Sequence, residues 1–100
     1  MTFNIQTTDD TIIGIIEGRL DTAASSQFAA DVQPILDSAD KNIVLDCSKM
    51  EFISSSGLRI FLTIRKSSIA HGGKVTIKGA SPEVKQVFTI TGFTSLFDFE

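Results

Sequence analysis

Three consecutive serines, Ser54, Ser55 and Ser56, followed by Gly57, are the residues whose type and spacing could do chemistry. They come after a short apolar run, Ile43-Val44-Leu45, a polar break at Asp46-Cys47-Ser48, and Met50-Glu51-Phe52-Ile53. An apolar-rich segment begins at Leu58. The pattern reads as strand, loop, then helix, with the serines at the helix entrance. A helix start leaves backbone N–H groups without internal partners. Together with the positive end of the helix dipole, these favour an oxygen or an anion. Serine is among the best N-caps because its hydroxyl accepts from an N–H two or three residues on. One serine would be a cap and nothing more. Three followed by glycine add hydroxyls and open backbone where an anion is welcome, although a cap with redundant serines also accounts for the pattern.

Other chemistries are poorly served. A nucleophilic serine needs a base within hydrogen-bond reach. His71 is the only histidine, and it falls at the far end of the predicted helix, roughly 20 Å away at about 1.5 Å per residue. A nucleophile elbow would need glycine where Ile53 stands. Neither glycine-rich phosphate-loop signature occurs. One histidine and one cysteine cannot build a zinc cluster, and Cys47 reads as a small buried residue. The expectation is a non-enzymatic protein with no cofactor.

The elements that must position the serines follow from periodicity. Thr2 to Thr7 puts Phe3 and Ile5 on one face, a half-buried strand. Thr11 to Gly18 carries Ile12, Ile13, Ile15 and Ile16, which suits a strand buried on both faces, with Gly14 marking a bulge. The two should form an antiparallel hairpin. Asp21 or Thr22 can cap a helix near Ala23 to Ser38, kinked or broken at Pro34. Asn42 to Asp46 is a third strand, too apolar for an edge. The next helix should run from about Ser56 to Ala70, with Arg59 and Thr63 on its polar stripe, and stop at Gly72-Gly73. Lys74 to Lys78 is a fourth strand, parallel to the third. Ser81-Pro82-Glu83 opens a last helix that ends at Gly92. Phe93 to Phe99 closes the chain as a short strand or an apolar lid. The order is β-β-α-β-α-β-α with a possible short last strand, an α/β fold in which helices cover a mixed sheet. The expected core is Ile15, Val44, Phe61, Leu62, Val75 and Phe88.

Bulk properties narrow the partners. One hundred residues make one domain, residues 1–100. A net charge of −3 argues against a general nucleic-acid binder. No apolar stretch is long enough to cross a bilayer, and no signal peptide is evident. A cytoplasmic protein is the simplest expectation. The oligomeric state is left open.

Leu45-Asp46-Cys47-Ser48, Phe52-Ile53 and Ser54-Ser55-Ser56-Gly57-Leu58 resemble the signature of STAS domains, typified by bacterial anti-sigma factor antagonists. Gly18-Arg19-Leu20-Asp21 looks like that family's Gly-x-Leu-Asp turn, so the resemblance extends over nearly the whole chain. It implies a small α/β domain with a largely four-stranded sheet. It implies that Ser55 is the phosphoacceptor for a partner kinase and that Asp21 lies beside it. Ser54, Ser56, Gly57, Leu58 and Arg59 would complete the partner-binding surface. The family usually has Asp where Ser54 stands, which makes Ser54 a competing acceptor. The function so implied is an antagonist that binds an anti-sigma factor serine kinase and is switched off by phosphorylation. The alternative is an accessory subunit of an ABC-type transporter ATPase with no such switch.

Overall fold

The computed structural model describes residues 1–100. Five strands form one sheet in the order β1-β2-β3-β4-β5: β1 (Thr2–Thr7), β2 (Thr11–Leu20), β3 (Asn42–Ile53), β4 (Lys74–Lys78) and β5 (Asp98–Phe99). β1 is antiparallel to β2, and every later pairing is parallel. Helices α1 (Thr22–Asp31), α2 (Gln33–Leu36), α3 (Ser55–Ala70) and α4 (Pro82–Ile90) make the crossovers, and a 3-10 turn at Thr94–Leu96 precedes β5. The sheet is thus five-stranded rather than four, with the closing segment a short strand.

Local chemistry explains most element ends. Asp21 caps α1, Ser54 caps α3 and Ser81 caps α4, each accepting from a backbone N–H three residues on. Pro34 breaks the first helix: α1 stops at Asp31, and α2 begins with the proline in its first turn, where its missing N–H costs nothing. α3 ends at His71, followed by Gly72 at φ 76, a left-handed conformation that suits glycine.

The helices pack on one face of the sheet. Ile12 and Ile16 of β2, Ile43, Leu45 and Cys47 of β3, and Val75 and Ile77 of β4 are buried there with Phe28, Phe61 and Phe88. A chain of phenylalanines links the layers. Ring centroids lie 5.1 Å apart for Phe3–Phe28, 6.1 Å for Phe28–Phe61, 6.0 Å for Phe61–Phe88 and 5.6 Å for Phe88–Phe97. Such pairs add about 0.5–1.5 kcal/mol each beyond the area they bury.

Four expectations need correction. β3 does not end at Asp46; it continues through Ile53, because the extension of β2 to Leu20, paired across two bulges in β3, supplies hydrogen-bond partners along residues 49 to 53. Gly14 is not a bulge. It pairs regularly with Ile5 and Leu45, and a Cβ there would come within 3.0 Å of Ile35 and Phe3. The register shifts fall instead between Ile15 and Glu17 and between Gly18 and Arg19. Finally, β2 is fully buried on one face only. Ile13, Ile15 and Val44 point to the face without helices and are half-buried, and Leu62 sits half-buried at the flank of α3.

Candidate functional site

The site is built by the last rung of the β2–β3 ladder. Leu20 pairs with Ile53, and both are buried. The Ser54 N–H donates to the Leu20 carbonyl at 2.8 Å, extending the ladder by one bond. The next residues, Asp21 and Ser54, are the N-caps of α1 and α3. Two helix N-termini therefore start side by side from one end of the sheet, after two central strands.

The caps are joined. Asp21 Oδ1 accepts from Ala24 N at 2.9 Å. Ser54 Oγ accepts from Gly57 N at 3.1 Å. Ser25 Oγ donates to the Asp21 carbonyl at 2.8 Å and lies 3.5 Å from Ser54 Oγ. Ser25 is buried, and sequence reasoning missed it: a serine in the first turn of a helix carries no signal that it faces another helix.

Ser55, the first residue of α3, is exposed, and the capping is done by Ser54 rather than by Ser55. Ser56 is half-buried and Arg59 is exposed one turn on. Asp21, Ser54, Ser55, Ser56 and Arg59 thus lie around one corner of the molecule. Leu58 and Gly57 do not belong to its surface. Leu58 is 1% exposed and part of the core. Gly57 is buried against β2 and β3: a Cβ there would fall 2.8 Å from Leu20 Cδ2 and 3.2 Å from Ile53 Cγ1. Its missing side chain lets α3 approach the sheet and does not open the surface to a partner.

Two rungs before the caps, Arg19 pairs with Phe52, and the guanidinium stands 4.5 Å from the ring centroid. Phe52 is one of few exposed large apolar residues, at 36%. Reading residues 46–53 as a loop hides this cation–aromatic pair. An aromatic two positions before a helix cap is the signal that could have found it.

The remaining candidates lie elsewhere. Asp46 accepts from Ser48 N at 3.0 Å and Ser48 Oγ at 2.7 Å, and the hydroxyl contact above all holds its carboxyl below the usual value. Burial pushes the Cys47 thiol up to about 12. His71 caps the opposite end of α3, its Nδ1 2.8 Å from the Ser67 carbonyl.

Comparison with known proteins agrees with this architecture. The STAS domain family model matches residues 2–100, and the chain belongs to that family. BtrV of Bordetella bronchiseptica, named as a proposed anti-sigma factor antagonist, is 32% identical over 89 residues, covering 89% of this chain and 77% of BtrV. The anti-sigma factor antagonist SpoIIAA in its unphosphorylated form superposes with a TM-score of 0.82 at 25% identity, over 99% of this chain and 88% of SpoIIAA. A proposed antagonist from Thermotoga maritima shares the fold with a TM-score of 0.86 at 23% identity, over 97% and 84% of the two chains. SpoIIAA of Bacillus has also been solved in a phosphorylated form, at a TM-score of 0.75 and 22% identity, over 99% of this chain and 91% of that one.

Proposed function

We propose that this chain is an anti-sigma factor antagonist that binds an anti-sigma factor serine kinase in the cytoplasm and is released from it by phosphorylation of Ser55. The observation that carries this reading is the division of labour between adjacent serines. Ser54 is held as a helix cap, while Ser55 is exposed beside it and beside the Asp21 turn. The relatives point to the same role, SpoIIAA being known in phosphorylated and unphosphorylated forms.

The switch follows from charge. A phosphate adds nearly two negative charges and three acceptor oxygens. At the start of α3 the fold tolerates it, because free N–H groups and the helix dipole face it. In an interface the same charge is buried against a surface shaped for a hydroxyl. Disturbing a buried interfacial charge costs about 2–5 kcal/mol, a loss of about 30-fold to several thousand-fold in affinity. Before modification the kinase grips Asp21, Ser56 and Arg59 around the acceptor, and afterwards it lets go.

The test treats wild type, Ser54→Ala and Ser55→Ala with a kinase recovered by pull-down from the native cell, together with ATP, and maps phosphate by mass spectrometry. Phosphate on wild type and Ser54→Ala but not on Ser55→Ala is the expected result. Phosphate lost only from Ser54→Ala moves the acceptor to Ser54. Recovery of a transporter ATPase instead, with no phosphate on any variant, replaces this reading with a constitutive subunit role.

A further inference from the structure

The two edges of the sheet differ. β5 is two residues long, and its Asp98 carboxylate pairs with Lys74 of β4 at 3.7 Å. β1 is six residues long and lies at the other end of the strand order. It carries no charged residue and no proline, and it pairs with β2 in unbroken register. Natural edge strands are blunted by brevity, charge, proline or a bulge. β5 uses the first two of these devices, and β1 uses none.

The direction of the free backbone groups of β1 follows from its neighbours. The Thr8 N–H donates to the Thr11 carbonyl at 2.8 Å, so these two form a hydrogen-bonded pair. On the other side of β2, the Asn42 N–H donates to the Asp10 carbonyl at 3.0 Å, so the even residues of β2 face β3 and the odd ones face β1. Hydrogen-bonded and open pairs alternate along an antiparallel ladder. Gln6 and Asn4 therefore bond Ile13 and Ile15, while Phe3, Ile5 and Thr7 turn both N–H and C=O outward. The side chains of Phe3 and Ile5 lie on the helix face, with Phe3 against Phe28. Those of Thr2, Asn4 and Gln6 lie on the bare face and are exposed.

We propose that β1 is a dimer interface, pairing antiparallel with β1 of a second copy of this chain about a two-fold axis at Ile5. In that register Phe3 faces Thr7, Asn4 faces Gln6, and Ile5 faces its own counterpart. Every outward N–H and C=O of Phe3, Ile5 and Thr7 then has a partner. Sliding the strands until Asn4 meets Asn4 carries Thr7 past the end of the other strand. Facing residues share a face, so the helices of both copies stay on one side of a continuous sheet. Charge selects a second copy as the occupant. Each chain carries −3, yet no charge lies within the contact. Antiparallel pairing also carries the two Asp9-Asp10 turns to opposite ends of the interface, where a parallel pairing would set their carboxylates side by side. An isologous pair consumes both long edges and leaves only β5 free, so assembly stops at the dimer. Because β2 runs antiparallel to β1 and leads to Asp21, the two serine corners lie at opposite ends of the joined sheet.

The test is sedimentation equilibrium of the full chain over a series of concentrations. A monomer–dimer equilibrium with no larger species is expected. Asn4 and Gln6 are exposed on the bare face, and they face one another across the axis only in the proposed register. Asn4→Lys combined with Gln6→Lys opposes like charges twice and should weaken the dimer by about tenfold or more. Asn4→Lys combined with Gln6→Glu sets Lys opposite Glu twice and should dimerise at least as tightly as wild type. A wild-type circular dichroism spectrum shows that each variant folds. A monomer at every concentration, or a dimer indifferent to the Lys–Lys change, overturns the interface. Equal weakening of both double variants overturns the register and with it the proposed pairing.

Discussion

The Ser25 and Ser54 hydroxyl oxygens lie 3.5 Å apart, and their other partners fix which way the protons point. Ser25 spends its proton on the Asp21 carbonyl, and Ser54 uses a lone pair on Gly57 N–H. Ser54 is then the hydroxyl with a proton free to point at Ser25. The chain of donors runs from α3 to α1 and ends on the backbone of the neighbouring cap residue.

Removing that link tests the cap directly. Ser54→Ala should lower stability by about 0.5–2 kcal/mol, the range for losing a capping hydroxyl. Ser54→Asp restores the residue type usual in STAS domains and should stay within about 0.5 kcal/mol of wild type, since aspartate and serine cap about equally well. Urea midpoints of the three proteins measure this. An alanine variant as stable as wild type would show that the cap contributes nothing.

Gly57 gives a sharper packing test. Alanine is the better helix former by about 1 kcal/mol, so helix propensity alone predicts stabilisation of Gly57→Ala. The Cβ would meet Leu20 at 2.8 Å, and overpacking costs about 1–3 kcal/mol. Net destabilisation is expected, and the double variant with Leu20→Val should lose less than the sum of the two single changes. Independent, additive effects would mean that α3 shifts away from the sheet at no cost.

Depth in the core separates two neighbours on α3. Phe61→Ala removes a fully buried ring and should cost about 3–5 kcal/mol. Leu62→Ala should cost clearly less, because Leu62 is only half-buried. Chemical denaturation compares them, and equal losses would place the axial rotation of the helix differently.

Cys47 makes a pH prediction. Its thiol is raised from 9.0 to about 12, chiefly by burial and further by the nearby Asp46 charge. The folded state thus holds the proton more tightly than the unfolded chain does. The contribution of this group to stability is complete below pH 9 and is lost as pH rises toward about 12. Under native conditions at pH 8 a thiol reagent should react only as fast as the protein opens, and Cys47→Ala should weaken the alkaline loss of stability. Rapid labelling of the folded protein would contradict this.

The residues differ in how much of this they announce. Lys74–Lys78 alternates cleanly, and Ser81-Pro82-Glu83 states a helix start in three letters, so β4 and α4 were legible. The second half of β3 was not. Ser48, Lys49 and Glu51 are exposed, and only pairing with a distant strand makes that stretch extended. Ile15 and Val44 illustrate a second limit: in an apolar run flanked by other apolar residues, composition cannot tell which face meets the helices. At the site, the juxtaposition of Asp21 with the serines came from a family motif, whereas the role of Gly57 depended on Leu20, which no local pattern connects to it. Ser25 was silent for the same reason.

The two register shifts in β2–β3 act as a ruler. Between the rungs Ile15↔Asp46 and Leu20↔Ile53, β3 spans two more residues than β2. Those extra residues bring Ile53 level with Leu20, and so bring two caps to the same height on different strands. The distance between Asp21 and the serines is therefore metered by strand length, not by attraction between the loops. Deleting one residue from Lys49–Phe52 would leave every site side chain in the sequence. It would turn alternate side chains to the wrong face and carry the hydroxyls out of step with Asp21. The proposed docking surface can in this way be dismantled from within the sheet, with none of its own residues having been changed.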